Sequence, residues 1–482
     1  MTGFRPKASP RGHDGFARGR IGSAHPYTRL NDSVAWLLGV VVFLSAVPLG
    51  SNRPFWWLTF GLMVGLIASY YLIMGARLAP QRPLQMTQFR FLLTLAAMVP
   101  AYAVLQSIPI AGRLPEALLA LPAAVPSDQR PLTISLQPDA SLLGALRAIV
   151  YLTFVGLVIE ISTRPKRIEK LTWILFFGVV AHAAWGLIAL NLLGDIAIWG
   201  EKRSYLGVAT GTFVNRNSYA TFLGFGLVLG IALLMQRARG RSSGQSGYFS
   251  EARLEGLLLG GLLCIVLFAL LSTQSRLGTF ASLIGSIMTF LIMRAKGGVG
   301  VRRAAIEGLG LIAVLGVIGF GVVGSGLIER MVFVENEAAT RQDIYRQVLG
   351  MIATRPWTGF GFDAFAPAFE LFRAPPLVSE REVDLAHNSY LMLWSELGVI
   401  IGSIPLLTLA IAAALVLRKV IRSTANPAVP AAAFGALTLG AVHSLGDFSL
   451  EIPANVILLL ALIGMAIATE PLGTRPPRNA QK

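Results

Sequence analysis

Twelve apolar runs punctuate this chain, at about 33–50, 54–74, 91–108, 141–161, 171–194, 218–236, 255–273, 277–293, 304–326, 389–417, 428–446 and 452–470. At 1.5 Å per residue each run is long enough, or nearly so, to cross a hydrocarbon layer of ~30 Å as a helix. A helix satisfies its backbone donors and acceptors within one segment, and lipid offers no water to replace them. The fold class that follows is all-α: a polytopic membrane protein with about 12 transmembrane helices. One transmembrane domain is expected over 33–470, between a basic and disordered tail at 1–32 and a short tail at 471–482. Only 14% of residues are charged, too few to cover a water-exposed globular surface.

The formal net charge is +16, a value that suggests nucleic acid until the positions of the charges are inspected. Lys and Arg stand in short clusters between apolar runs, the distribution that sets membrane topology, and a nucleic-acid role is rejected on that ground. Most of the 41 basic residues fall on one face when the N-terminus is placed in the cytoplasm, so both termini are expected there. No cleavable signal peptide is apparent, because the first apolar run follows a long basic tail. The single cysteine, Cys264, excludes a disulfide framework and a cysteine-based metal site.

The opposite face receives the long loops, 109–140, 195–217 and about 327–388, and functional residues gather where long loops are held by a rigid scaffold. In the largest loop, Ala339 to Asp343 resembles a helix start with Thr340 as cap, and Arg355-Pro356 ends that helix. Three even-numbered spans begin on this face with unusual polar residues. The sixth opens with Asn215, Arg216, Asn217 and Ser218, the eighth with Ser275 and Arg276, and the tenth with His387, Asn388 and Ser389. A helix N-terminus presents free N–H groups and partial positive charge, and an adjacent arginine adds a bidentate clamp, so together they describe an outward-facing diphosphate site. Each residue also has a plainer reading: Asn215, Asn217 and Ser218 as caps, Arg216 as a snorkelling interfacial side chain, His387 as an ordinary interfacial histidine. Arg276 resists that treatment, because it needs an anionic partner in a connection with almost no loop.

Taken in order, Gly211-Thr-Phe-Val-Asn-Arg-Asn217, Ser275-Arg276, Arg341 with Tyr345 and Arg346, Pro356-Trp-Thr-Gly-Phe-Gly361, and His387-Asn388-Ser-Tyr-Leu391 followed by Glu396-Leu-Gly398 resemble the O-antigen ligase and polymerase family over about residues 205–400. The resemblance implies glycan transfer at the periplasmic face of a bacterial inner membrane. It implies a donor carried on undecaprenyl diphosphate and an acceptor hydroxyl on the lipid A core or on a second lipid-linked repeat. It further implies a metal-independent, inverting glycosyltransferase without a cofactor, set among membrane lipids and polysaccharide-assembly proteins; no Asp-x-Asp pair stands on the outer face to hold a divalent cation.

On this reading Arg216 and Arg276 stabilise the leaving diphosphate, with Arg341 and Arg346 in support. His387 takes the acceptor proton, since an unperturbed imidazole titrates near neutral pH, or else it hydrogen-bonds the diphosphate. Asn215, Asn217, Ser275, Asn388 and Glu396 are the substrate-binding candidates, Glu396 as a buried partner for one of the arginines. Arg147 and Glu160 each need a partner elsewhere, and His443 and Asp447 either line the cavity or cap a helix. A ligase is favoured over a polymerase by twelve spans with both ends cytoplasmic. A transporter would show repeated halves and a central long loop, whereas here the longest loop falls between spans nine and ten. A non-enzymatic scaffold of envelope assembly would leave the outward arginines dispensable.

Overall fold

The computed structural model describes residues 26–123, 125–126, 130–240, 251–300, 302–303, 306–307, 310, 327–377, 383–422 and 427–468. The expected ninth span falls almost wholly outside the described residues, as do Arg381, residues 1–25 and the end of the chain from 469. The other expected spans are all helical. They are α1 (Pro26–Ala46), α2 (Pro54–Leu78), α3 (Arg90–Gln106), α4 (Pro138–Ile161), α5 (Pro165–Asn191), α6 (Arg216–Gly240), α7 (Glu251–Ser272) and α8 (Arg276–Lys296). After α9 (Leu327–Thr354) and the short α10 (Phe365–Glu370) come α11 (Ser389–Arg422), α12 (Ala428–His443) and α13 (Pro453–Ala468). Nine helices among the described residues are long and apolar enough to cross a membrane, and α12 and α13 are shorter apolar helices. Large side chains such as Phe55, Leu62 and Leu257 are exposed to 65–74%, a surface suited to lipid rather than to water.

Two boundaries differ from expectation. Helix α1 begins at Pro26, ahead of the apolar run, because proline is pre-set for a first helical turn and the helix continues beyond the hydrocarbon layer. Helix α9 begins at Leu327 rather than near Thr340. Residues 327–340 contain neither Gly nor Pro, so nothing in the chain stops the helix earlier.

Small residues bring α6, α8 and α12 close together. A Cβ on Gly285 of α8 would stand 2.6 Å from the carbonyl oxygen of Gly435 on α12, and one on Gly224 of α6 would stand 2.6 Å from Leu439 of α12. Glycine permits such approach where any other residue would hold the backbones apart. The starts of α6 and α8 and the end of α12 therefore meet at one end of the bundle.

Helix α11 is interrupted nine residues in. Gly398 has φ +75° and ψ 164°, which frees the carbonyls of Ser395 and Glu396. Pro356 to Gly361 fills the gap: Phe360 N donates to Ser395 O at 2.9 Å, Gly361 N to Glu396 O at 3.0 Å, and Val399 N to Pro356 O at 2.7 Å. The loop and the helix break are thus one structure, and the buried backbone groups find partners as a lipid-embedded chain requires. Gly359, at φ +66°, lies so close to Glu396 that a Cβ would overlap its carbonyl; a Cβ on Gly398 would overlap that of Trp357. The Gln106 amide closes the joint, donating to Thr358 O and Glu396 O at 2.9 Å each and accepting from Phe362 N at 3.0 Å.

Arg355 anchors the loop from below. It is 1% exposed and donates to the carbonyls of Ala120 and Leu119 at 2.7 Å and of Ile134 at 3.1 Å. Burial, then the nearby Arg130, pulls its guanidinium down to about 10. Gly398→Ala should lower the thermal midpoint of the detergent-solubilised protein by several degrees, because alanine meets both a disfavoured φ and a backbone collision. An unchanged midpoint in a fluorescence melting curve would show that the break tolerates a side chain.

Candidate active site

The turn after α12, residues 443–449, receives hydrogen bonds from α6, α9 and the start of α11, and through Asn217 it is joined to the start of α8. Asn217, in the first turn of α6, donates through Nδ2 to Asp447 Oδ2 at 2.8 Å, and its Oδ1 accepts from Ser275 Oγ at 2.7 Å. One amide thereby joins the starts of α6 and α8 to the turn. Asn388 Nδ2 donates to Leu445 O at 2.9 Å and Ser389 N to Ser444 O at 3.1 Å, which brings in the start of α11. Arg341 of α9 donates to Gly446 O at 3.0 Å. Asp447 is fully buried and also accepts from Ser449 Oγ at 2.5 Å.

His387 sits at the centre of these contacts. Its φ of +51° is uncommon for a residue with a side chain. The ring packs edge-on against Phe448, centroids 5.0 Å apart, and its carbonyl accepts from the Tyr345 hydroxyl at 2.8 Å. Tyr345 lies one turn beyond Arg341 on α9, so the same helix supplies a cation and fixes the histidine backbone.

Of the three cap readings that for Asn215 holds, whereas the Asn217 side chain bonds Asp447 and Ser275 and Ser218 Oγ makes no hydrogen bond among the described residues; Ser275 and Asn388 are further caps. Asn215 Oδ1 accepts from Asn217 N at 2.7 Å, Ser275 Oγ from Gly278 N at 3.2 Å, and Asn388 Oδ1 from Tyr390 N and Leu391 N at 3.0 and 3.1 Å. Each cap fixes the residue beside it: Arg216 opens α6 and Arg276 opens α8. The Arg216 guanidinium lies 5.6 Å from the ring centre of Tyr205, whose hydroxyl accepts from Asn215 Nδ2 at 3.2 Å. Arg276 is exposed, and among the described residues no carboxylate pairs with it. The starts of α6, α8 and α11, with Arg216 and Arg276 in their first turns and Arg341 on the turn they share, therefore put helix N-termini and basic side chains at one end of the bundle.

Two candidates stand elsewhere. Arg346 pairs with Asp343 at 3.0 Å on an exposed face of α9. Glu396 is 2% exposed beside the Asp363 backbone, in the company of Arg147 and Glu451 rather than of the three arginines. Arg147 of α4 finds its partner in Asp363 at 2.5 Å, and Glu160 accepts from Met86 N at 2.8 Å. A largely apolar cavity of about 620 Å³ lies between α3, α4, α11, α12 and α13, with Arg147 and Glu451 at its polar end; it reaches the turn through Ser389 and Ser444.

Residues 260–407 match the family model described as O-antigen ligase. The match supports placing this chain in the O-antigen ligase/polymerase family. It contains Ser275, Arg276, Arg341, Arg346, His387, Asn388 and Glu396, while Asn215, Arg216, Asn217 and Asp447 lie outside it. No curated protein matches the chain. The family carries a glycosyl-transferring, ligase- or polymerase-type role, with glycan and lipid-linked substrates, and this multi-pass architecture agrees with it.

Asp447 and Glu451 are the residues that sequence reasoning underweighted or missed. The signal was the polar string His443-Ser-Leu-Gly-Asp-Phe-Ser449 between two apolar runs, which reads equally well as an ordinary helix end. Burial pushes the Glu451 carboxyl up from 4.5 to about 7, with Arg147 opposing and Asp363 adding to the rise. Between those pH values the folded protein binds more protons than the unfolded chain, so stability falls as pH rises through that window. Glu451→Gln removes the effect: the thermal midpoint of the variant should gain steadily on the parent from about pH 5 to about pH 8. A constant difference across that range would show that Glu451 is charged throughout.

Proposed function

We propose that this protein transfers a glycan from an undecaprenyl diphosphate-linked donor to a hydroxyl of the lipid A core, as an O-antigen ligase does, at the periplasmic face of a bacterial inner membrane. What supports the reading is that Asn217 and Ser275, the neighbours of Arg216 and Arg276, are tied to the turn at 443–449, to which Arg341 also donates, while Tyr345 holds the His387 backbone. The family match supports the reaction class, and the positive-inside distribution of Lys and Arg supports the periplasmic placement of this end of the bundle.

In this proposal the acceptor oxygen attacks the anomeric carbon from the face opposite the diphosphate, a new C–O bond forms, and the bond to the diphosphate oxygen breaks with inversion. His387 takes the proton from the acceptor hydroxyl as the bond forms. The leaving undecaprenyl diphosphate carries away the electron pair, and its growing charge is met by Arg216, Arg276, Arg341 and the three helix N-termini. Such charge needs no metal on this account, because guanidinium groups and oriented N–H donors held in place supply several kcal/mol in a site of low dielectric. The apolar cavity beside the turn is of a size and lining to hold part of a prenyl chain.

Arg276→Ala should reduce transfer from purified lipid-linked donor by about a hundredfold or more while the protein stays in the membrane. Normal surface glycan in that strain would remove the clamp. His387→Ala should be comparably severe, and near-normal turnover would exclude a base. Tyr345→Phe deletes one hydrogen bond to the His387 backbone, worth about 1 kcal/mol, and should lower kcat roughly fivefold with little change in KM. Deleting the protein and examining envelope glycans separates the two members of the family: unsubstituted core with accumulated long lipid-linked chains identifies a ligase, and single repeats identify a polymerase.

A further inference from the structure

A polar pocket of about 210 Å³ opens at the end of the bundle away from the candidate active site. Helix α4 runs between the two: Arg147 pairs with Asp363 near its start, and Ile161, fourteen residues on and about 21 Å along the axis, closes it beside the pocket. Tyr27 and Asn31 of α1, Arg82 from the connection between α2 and α3, Thr163 and Arg164 from the turn between α4 and α5, and Arg167 in the first turn of α5 line the pocket.

Arg167 carries the argument. It is 5% exposed, donates through Nε to Asp32 Oδ1 at 2.6 Å and through Nη1 to Ile161 O at 2.7 Å, yet its buried Nη2 has no partner in the protein. A buried guanidinium N–H without an acceptor costs free energy that a bound acceptor would recover. The pocket wall also holds the start of α5, which begins at Pro165 with no side-chain cap; Arg167 N and Ile168 N donate to Arg164 O, which leaves the Lys166 N–H as its open backbone donor. Arg82 lies with its guanidinium 4.6 Å from the Tyr27 ring centre, which keeps it at the pocket rim. Arg82 and Arg164 are exposed, and neither forms an ion pair among the described residues. Of the two carboxylates nearby, Asp32 belongs to Arg167, and Glu160 accepts from Met86 N. Three guanidiniums, a free N–H and an uncapped helix start facing one small space form a receptor for a compact oxyanion.

We propose that this pocket binds a phosphate group at the membrane boundary, carried on an anionic lipid headgroup or on a soluble phosphoryl compound. The site is separate from the glycan-transfer site and does not depend on that reading. A phosphate there would accept from Arg167 Nη2 and from the α5 backbone, with Arg82 and Arg164 closing over it. It would tie α1, the α2–α3 connection and α5 together where the bundle meets the headgroups.

The test uses the full chain purified in detergent. Native mass spectrometry follows retention of added phosphatidylglycerol against phosphatidylcholine, and thermal midpoints are read with and without inorganic phosphate. Arg82→Gln with Arg164→Gln leaves the Arg167–Asp32 pair intact and should weaken phosphate-dependent binding about tenfold or more. Arg167→Lys tests the buried donor separately, and an unchanged size-exclusion profile shows that either variant is folded. Preferential retention of phosphatidylglycerol, lost in the double variant, supports the site with a lipid headgroup as its source. Stabilisation by inorganic phosphate, lost in the double variant without lipid preference, supports it with a soluble source. Equal behaviour of parent and double variant toward both probes overturns it.

Discussion

A single side-chain amide, that of Asn217, ties the starts of α6 and α8 to the turn after α12. Its two ends reach Ser275 on one helix and the buried Asp447 on the turn after another, at 2.7 and 2.8 Å. Neither partner can be replaced by water at this depth without cost, so the relative positions of α6, α8 and α12 are fixed to within hydrogen-bond tolerance. The arginines next to Asn217 and Ser275 inherit that precision.

Several arginines are answered by groups inside the protein. Arg147 is matched by Asp363, Arg346 by Asp343, and Arg355 by three backbone carbonyls. Arg216 and Arg276 open α6 and α8, and Arg341 donates to the turn beside the start of α11, so these side chains lie near helix ends whose dipoles share their sign. Like charges gathered in this way repel, and a polyanion relieves the repulsion. The other side of the turn is different in character, an apolar cavity with Arg147 and Glu451 at one end. Charge and hydrocarbon meet across the few residues from Ser444 to Glu451, the division an amphipathic lipid-linked donor requires.

The loop at 356–361 is built into the helix bundle by hydrogen bonds on three sides. Pro356 to Gly361 replaces the missing turn of α11, Gln106 stitches that joint to α3, and Arg355 ties it to the 119–134 loop. Two glycines in left-handed conformations make the close approach possible. In the sequence these appear as two separate motifs; in the structure they are one element.

Most of the architecture was written in the hydropathy of the chain, because a helix in lipid needs only length and apolar character to be recognised, and both are local properties. The sequence by itself determined the membrane class, nearly every helix and the identity of the polar helix starts, including Arg216, Arg276 and His387. Tertiary structure alone decided that Glu396 sits with Arg147 and Asp363, and that Asp447 anchors the cluster. It also decided that the break at Gly398 is filled by a loop some forty residues earlier. Those facts depend on which carbonyl or carboxylate lies across from a given donor. Partners separated by 58 to 256 residues along the chain leave no periodic trace in it.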